Sequence, residues 1–439
     1  MSISDVQHYQ NIHDPITTLG QDILGRHNMA RVILNRLTRF NPGAIGIYGG
    51  WGTGKTSLLH LIHTHNDEQS RNSNQKNILI EIIDAWKYES SDGLLMPVLV
   101  RLKKKVGEKD LPDGWHVIMR RALTSIAFSV TDALLQKYIG VDGKSIRENY
   151  EQAEKRDRQK DDASLLLEWE TWSDEVEETT SAFKKLVDFV LAETGYKHLV
   201  ICVDNLDRCS PENVVRLLES VKNFFSDPTI NCTWVFAIDS DVVASYIHHK
   251  YEGTQVDGHS YLDKIIPEQY HLSLSPAIDG RNIVSLLRYA AGNTVANFDF
   301  DEEKIPQIPK ILVPRRLIKS ASKFADFYET HNTGGVSPEI VFSLTLLYHT
   351  WPGFYQRISS ASNAHICGIL DNFFPAENGG QPNVSKPISS AIPLGMEYLD
   401  DQDLSHFLRM AFRGYRSSKT TFVDEIINGI MGLRLTGLP

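Results

Sequence analysis

Residues 44–59 read AIGIYGGWGTGKTSLL. An apolar, β-favouring run at residues 45–48 breaks into a glycine-rich turn, and the turn opens into residues that favour a helix. Gly49, Gly54, Lys55 and Thr56 hold the fixed positions of the pattern G-x-x-x-x-G-K-[ST], with Gly50, Trp51, Gly52 and Thr53 between them. Glycine lets the backbone wrap an anion with its N–H groups turned inward, in conformations that a Cβ would block. The helix that follows, with Ser57 in its first turn, adds its dipole and its unpaired N–H groups to the same anion. Lys55 supplies a flexible point charge for β- and γ-phosphates, and Thr56 a hydroxyl for Mg²⁺. Strand, loop and helix in this order predict a site for a nucleoside triphosphate with its metal.

Upstream, residues 20–26 (GQDILGR) lead into a predicted helix at His27–Arg39, whose apolar Met29, Val32, Ile33 and Leu37 recur at helical spacing. Asn41, Pro42 and Gly43 then turn the chain into the loop strand, so residues 1–43 read as a helical lead-in. Downstream, the polar residues 66–77 are expected to form a surface loop. Residues 78–83 (ILIEII) suit a buried parallel strand. That strand delivers Asp84, Trp86, Lys87 and Tyr88 to its carboxyl end, where ligands gather in open α/β sheets. The two aromatics serve there either as core packing or as scaffolding for the site.

The same grammar recurs further along. Residues 198–203 (HLVICV) form another strand, ending in Asp204, Asn205, Leu206, Asp207, Arg208 and Cys209. Ser210 and Pro211 then start a helix, amphipathic over residues 214–225. Residues 234–238 (WVFAI) make a further strand ending at Asp239, and residues 272–276 (LSLSP) a short last strand or an extended connection. Alternating strands and helices with polar strand ends predict a doubly wound parallel sheet.

A phosphate loop needs a metal partner, and an apolar strand ending in Asp is the usual supplier. Asp204 fills that role, its distance from Lys55 along the chain explained by a helical insertion at residues 94–190. Thr56 and Asp204 are therefore the candidate metal ligands. Asp207 and Arg208 read either as a structural ion pair or as a water-orienting acid and a phosphate-sensing cation, with Glu89 a second candidate acid. Asp239 is placed to reach the γ-phosphate side through a water. Arg315, at a helix start, is a cation aimed at phosphate.

The 439 residues allow two or three domains, read as a core at 44–270 and a helical C-terminal domain at 271–439. With 41% apolar and 23% charged residues, the composition is that of an ordinary globular protein. A net charge of −10 argues against a dominant nucleic-acid surface. Cys202, Cys209, Cys232 and Cys367 show no metal-ligand spacing and read as reduced thiols. No apolar run reaches the ~18–20 residues that span a bilayer, and residues 122–135, the nearest, read as a core or interface helix. The start of the chain has no secretory pattern, so a cytoplasmic placement is expected, with peripheral membrane association allowed. Residues 168–178 hold six acids and no base, a solvated helix face or an interaction surface.

Six stretches together resemble the KAP-family P-loop NTPases, in the branch related to STAND and AAA proteins. They are GGWGTGKTSLL at 49–59, DAWKYES at 84–90, VDNLDRCSPE at 203–212, FAIDSDVV at 236–243, YLDKIIP at 261–267 and PRRLIK at 314–319. WPGFYQRI at 351–358 is similar to the family's helical end. The resemblance implies an α/β P-loop NTPase fold with a helical insertion and a C-terminal helical domain. It also implies ATP and Mg²⁺ as ligands, and hydrolysis that drives a switch or an assembly motor. Self-association and a protein partner encoded nearby follow from it, and a role in bacterial antiviral defence by analogy. Two departures stand out. The family has two adjacent acids where this chain has Asp204 and Asn205, and an amide cannot accept a proton at neutral pH. Slow turnover is therefore expected, with Asn205→Asp raising it in part, and a nucleotide-bound scaffold that never hydrolyses is the alternative. Many relatives also carry membrane-spanning helices in the region of residues 94–190, which this sequence does not.

Overall fold

The computed structural model describes residues 14–18, 20, 22, 24–73, 75–91, 95–107, 163–252, 256–272, 280–291, 312–330, 336–374, 398 and 400–438. Helix α1 spans His27–Arg39, the bounds expected from its periodicity, and leads into β1 (Ala44–Tyr48). Helix α2 (Lys55–Ser73) follows, then β2 (Ile78–Asp84), a 3₁₀ turn at Ala85–Ser91 and α3 (Met96–Val106). Helix α4 (Ala163–Thr194) returns to β3 (His198–Asp204), and α5 (Pro211–Ser220) runs into a π turn at Val221–Phe225. Strand β4 (Cys232–Ile238), α6 (Ser240–Lys250), α7 (Gly258–Ile265) and β5 (Glu268–His271) complete the sheet region. The remaining helices are α8 (Gly280–Ala291), α9 (Pro314–Thr330), α10 (Pro338–Thr350), α11 (Pro352–Ser360), α12 (Asn363–Phe373), α13 (Gln402–Ala411) and α14 (Lys419–Leu435).

The sheet is five-stranded in the order β2-β3-β4-β1-β5, and every pairing is parallel. Its strands are apolar on both sides, as helices covering both faces require. Val200, Cys202, Val235 and Ala237 pack with α1 and α2 on one face. Leu199, Ile201, Val203, Trp234 and Phe236 point the other way and pack with residues of α3 to α7. A separate apolar cluster, including Phe324, Phe342, Phe354, Tyr355 and Phe407, is drawn from residues 283–438. The doubly wound parallel fold expected from the strand pattern is the one observed. Cys202, Cys209, Cys232 and Cys367 are free thiols. No helix among the described residues is long and apolar enough to cross a membrane.

One local expectation needs correction, and one strand forms where none is expected. Residues 66–73 are not loop but the last turns of α2, since a surface helix accepts a polar outer side. Asn66 is the exception, buried and donating its amide to the carbonyl of Ile78 at 3.0 Å. Strand β5 is EQYH at Glu268–His271, just before the LSLSP stretch, of which only Leu272, outside any strand, is described. Among the described residues it pairs with β1 alone, and an edge strand with one neighbour needs no apolar run. Arg36 of α1 pins it through Glu268 at 2.7 Å. Residues 273–276 lie outside the described residues, as do residues 122–135. The acidic stretch at 168–178 falls on α4.

Candidate functional site

The register sets Asp84 beside Asp204, Asp204 beside Ala237, and Tyr48 beside Ile238, so four strands end along one edge. Because β4 lies between β1 and β3, the loop and Asp204 begin two strand spacings apart, ~10 Å. Helix α2 closes that gap by crossing the sheet over β4, β3 and β2. Its first turn brings the Thr56 hydroxyl to Asp204, donating to Oδ2 at 2.7 Å. Asp204 is only 3% exposed and has no ion-pair partner among the described residues. Burial pushes its carboxyl above the ordinary range, against the bonds it accepts from Thr56 and the Asn205 N–H.

The loop itself turns on left-handed glycines, Gly52 at φ 85° and Gly54 at φ 95°. Lys55 is folded inward, 8% exposed, its Nζ donating to the Gly49 carbonyl at 2.6 Å and the Gly50 carbonyl at 3.3 Å. The Thr53 hydroxyl donates to the Gly50 carbonyl at 2.8 Å. Asp207 Oδ2 lies 3.5 Å from Lys55 Nζ and accepts the Asp239 N–H at 3.2 Å. Asp207 thus ties the loop lysine to the end of β4. The Asp239 side chain accepts from the Asp241 N–H and caps α6. Of the two readings for Asp207 and Arg208, a mutual ion pair is not the one found, since Asp207 pairs with Lys55.

Arg208 instead lies over two rings, 5.1 Å from the centroid of Trp86 and 5.7 Å from that of Trp51. Trp51, at the apex of the loop, is 69% exposed and also takes the Arg315 guanidinium at 5.2 Å. The Arg315 N–H donates to the Gly52 carbonyl at 3.2 Å, so α9 begins on the loop. Trp86 belongs to this rim, whereas Tyr88 packs on the core.

Other residues have partners of their own. Asn205 is the one left-handed non-glycine among the described residues, at φ 56°. Its amide donates to Asp84 Oδ1 at 3.0 Å. Glu89 accepts the Ser210 N–H at 2.7 Å, at the start of α5. Burial raises its carboxyl, but bonds from Cys209 and Ser210 outweigh that and hold it below the usual range. The Ser57 hydroxyl accepts the Ile16 N–H at 3.3 Å and so faces the lead-in. Arg26, buried, reaches the Thr53 carbonyl at 3.4 Å. Sequence reasoning missed the Arg26 contact and the pairing of Asp84 with Asn205. Nothing in local pattern signals either, because both are made across distant segments. No group of three or more His, Cys, Asp or Glu side chains placed to hold a metal occurs among the described residues; the Thr56 hydroxyl and the Asp204 carboxylate stand together at the mouth of the loop.

A family model described as the KAP family P-loop domain matches residues 26–328. The chain belongs to the KAP family of P-loop NTPases. Family membership carries nucleotide binding with it. Among curated sequences, this KAP chain is similar to the phage T7 exclusion protein of Escherichia coli strain K12, 24% identical over 286 residues. The match takes in 58% of this chain and 33% of that protein, so this chain spans about a third of its relative's length. It is also similar to an uncharacterized protein of Methanocaldococcus jannaschii, 28% identical over 170 residues, 33% of this chain and 82% of the other. Among solved structures, the ORC2 protein of Aeropyrum pernix aligns over 97% of both chains with TM-score 0.36 and 14% identity. A Walker-type ATPase of Pyrococcus abyssi aligns over 97% of this chain and 100% of its own, with TM-score 0.35 and 10% identity.

Proposed function

We propose that this KAP protein is an ATP-driven switch: it binds ATP with Mg²⁺, hydrolyses it slowly, and passes the change to its C-terminal helices. The observation that carries the proposal is the Thr56–Asp204 contact of 2.7 Å beside an inward-folded Lys55. A buried carboxylate with no ion-pair partner among the described residues and a hydroxyl make a hard-oxygen pair, which fits Mg²⁺. The metal, when bound, would neutralise charge between the phosphates. Lys55 would exchange its carbonyl partners for phosphate oxygens, and the left-handed glycines would present the loop N–H groups. Asp207 is the proposed water-orienting acid, held by Lys55 and the Asp239 N–H. Glu89 is committed to the start of α5 and position 205 to Asp84, so neither is placed to orient water, which is why hydrolysis is proposed to be slow.

The phage T7 exclusion relative supports placing the switch in antiviral defence. The cell compartment proposed is the cytoplasm. The protein partner proposed is encoded nearby, and the helical part from about residue 271 is the proposed unit that meets it. A second reading, a scaffold that binds nucleotide and never turns it over, is favoured by the Asn205–Asp84 bond.

Titration of a fluorescent ATP analogue against wild type and Lys55→Ala, with phosphate release measured in parallel, tests the site. The expected result is weaker binding by at least tenfold and no turnover. Unchanged affinity together with unchanged turnover would sink the assignment. Binding without any phosphate release from wild type, alone or with its neighbouring gene products, would establish the scaffold instead.

A further inference from the structure

Arg208 and Arg315 share one unusual circumstance. Neither guanidinium has a carboxylate within ion-pair distance among the described residues, and both rest on the same indole. Arg208 lies 5.7 Å and Arg315 5.2 Å from the ring centroid of Trp51. The nearby carboxylate of Asp207 is directed to Lys55 and the Asp239 N–H, and does not serve its sequence neighbour. Two like charges gathered on a single exposed ring repel, so their arrangement favours an anion arriving between or beside them. Trp51 is itself part of the phosphate loop, and Arg315 is fastened to that loop by its own N–H on the Gly52 carbonyl. A Cβ on Gly52 would stand 2.9 Å from the Arg315 Cβ, so this start of α9 is seated directly against the loop backbone.

We propose that Trp51 is a positioning residue that holds Arg208 and Arg315 as an anion subsite for the terminal phosphate of a nucleoside triphosphate. The inference rests on the nucleotide reading of the loop, and adds to it how triphosphate is told from diphosphate. Lys55 and the loop N–H groups hold phosphate in either nucleotide. The two guanidiniums engage only the longer one, and Arg315 carries that engagement into α9. Trp86, 5.1 Å from Arg208, is the second wall that keeps Arg208 at the mouth of the loop.

The experiment measures the affinity of the full chain for ATP and for ADP, each with Mg²⁺, in wild type, Trp51→Ala, Trp51→Phe, Arg208→Gln, Lys55→Ala and the double variant Trp51→Ala/Arg208→Gln. Thermal melts confirm equal folding, which the 69% exposure of Trp51 favours. Wild type is expected to prefer ATP. Loss of two exposed cation–π contacts predicts a roughly 5- to 30-fold weaker hold on ATP in Trp51→Ala, with ADP changed less than about twofold. Trp51→Phe, which keeps a weaker ring, is expected to recover part of the ATP affinity. Adding Arg208→Gln to Trp51→Ala should cost less than Arg208→Gln alone. Equal loss of ATP and ADP in Trp51→Ala would overturn the proposal in favour of a loop-shaping role. No loss of either, or no preference for ATP in wild type, would overturn it outright. If Lys55→Ala binds both nucleotides like wild type, the nucleotide site itself falls and this inference with it.

Discussion

Asn205 is the residue whose meaning changes most between sequence and structure. By sequence it is a missing second acid, and its replacement by Asp is expected to raise turnover. In the fold it takes a left-handed conformation, which asparagine adopts more readily than most side chains, and its amide donates to Asp84 at 3.0 Å. A carboxylate there would face the Asp84 carboxylate at hydrogen-bond distance, and two such groups resist joint ionisation. Asn205→Asp is therefore expected to lose about 1–3 kcal/mol of stability at pH 8, with part of the loss recovered at pH 5, and not to speed turnover. Melting temperatures at both pH values and a phosphate-release rate decide it. A variant as stable as wild type at pH 8 with faster release would restore the sequence reading.

At the level of elements, the strands are stapled at both ends. At the carboxyl ends the staples are the Thr56–Asp204 and Asn205–Asp84 contacts. At the amino ends His198, the first residue of β3, shares a 2.9 Å hydrogen bond with Thr233 of β4, and Thr233 donates to Asn41 at 3.2 Å. Burial lowers the His198 imidazole to about 4, so the folded chain keeps it neutral while the unfolded chain protonates it below its ordinary 6.5. Its contribution is complete above pH 6.5 and is lost as the pH falls towards 4, with a slope of at most about 1.4 kcal/mol per pH unit. Urea unfolding of wild type and His198→Gln at pH 7.5, 6 and 5 isolates this slope from that of the other histidines. Parallel stability curves for the two proteins would show that His198 does not titrate with folding.

On the scale of the molecule, the mouth of the phosphate loop is an exposed rim of tryptophan and arginine, the composition of contact hot spots. Nucleotide binding at such a rim is expected to promote self-association, with a neighbour's Lys264 completing the site, since Arg208 rests on the indoles of its own chain. Mass measurement in solution at micromolar protein, with and without ATP·Mg²⁺, checks this. A monomer under both conditions counts against it. Trp86→Ala serves as a second probe, expected to lower association by at least tenfold if the rim is the contact and to leave it unchanged if association lies elsewhere.

The residues alone determined the phosphate loop, the parallel sheet and the family, because each is written in local terms. Glycine positions, β-branched runs and a lysine at a set offset act within a few residues of one another. The strand order that puts β4 between β1 and β3 was not legible, nor was the polar edge strand EQYH, whose placement depends on its neighbour and on Arg36. Asp204 was legible as a strand-ending acid, but its contact with Thr56 exists only because α2 crosses the sheet. The separation of Asp207 from Arg208, one turned to Lys55 and the other to two indoles, was likewise decided by tertiary structure. Adjacent residues carry no information about their partners when those partners come from loops more than a hundred residues away. Side-chain direction is set by what the fold places opposite, and that is known only once the chain has closed on itself.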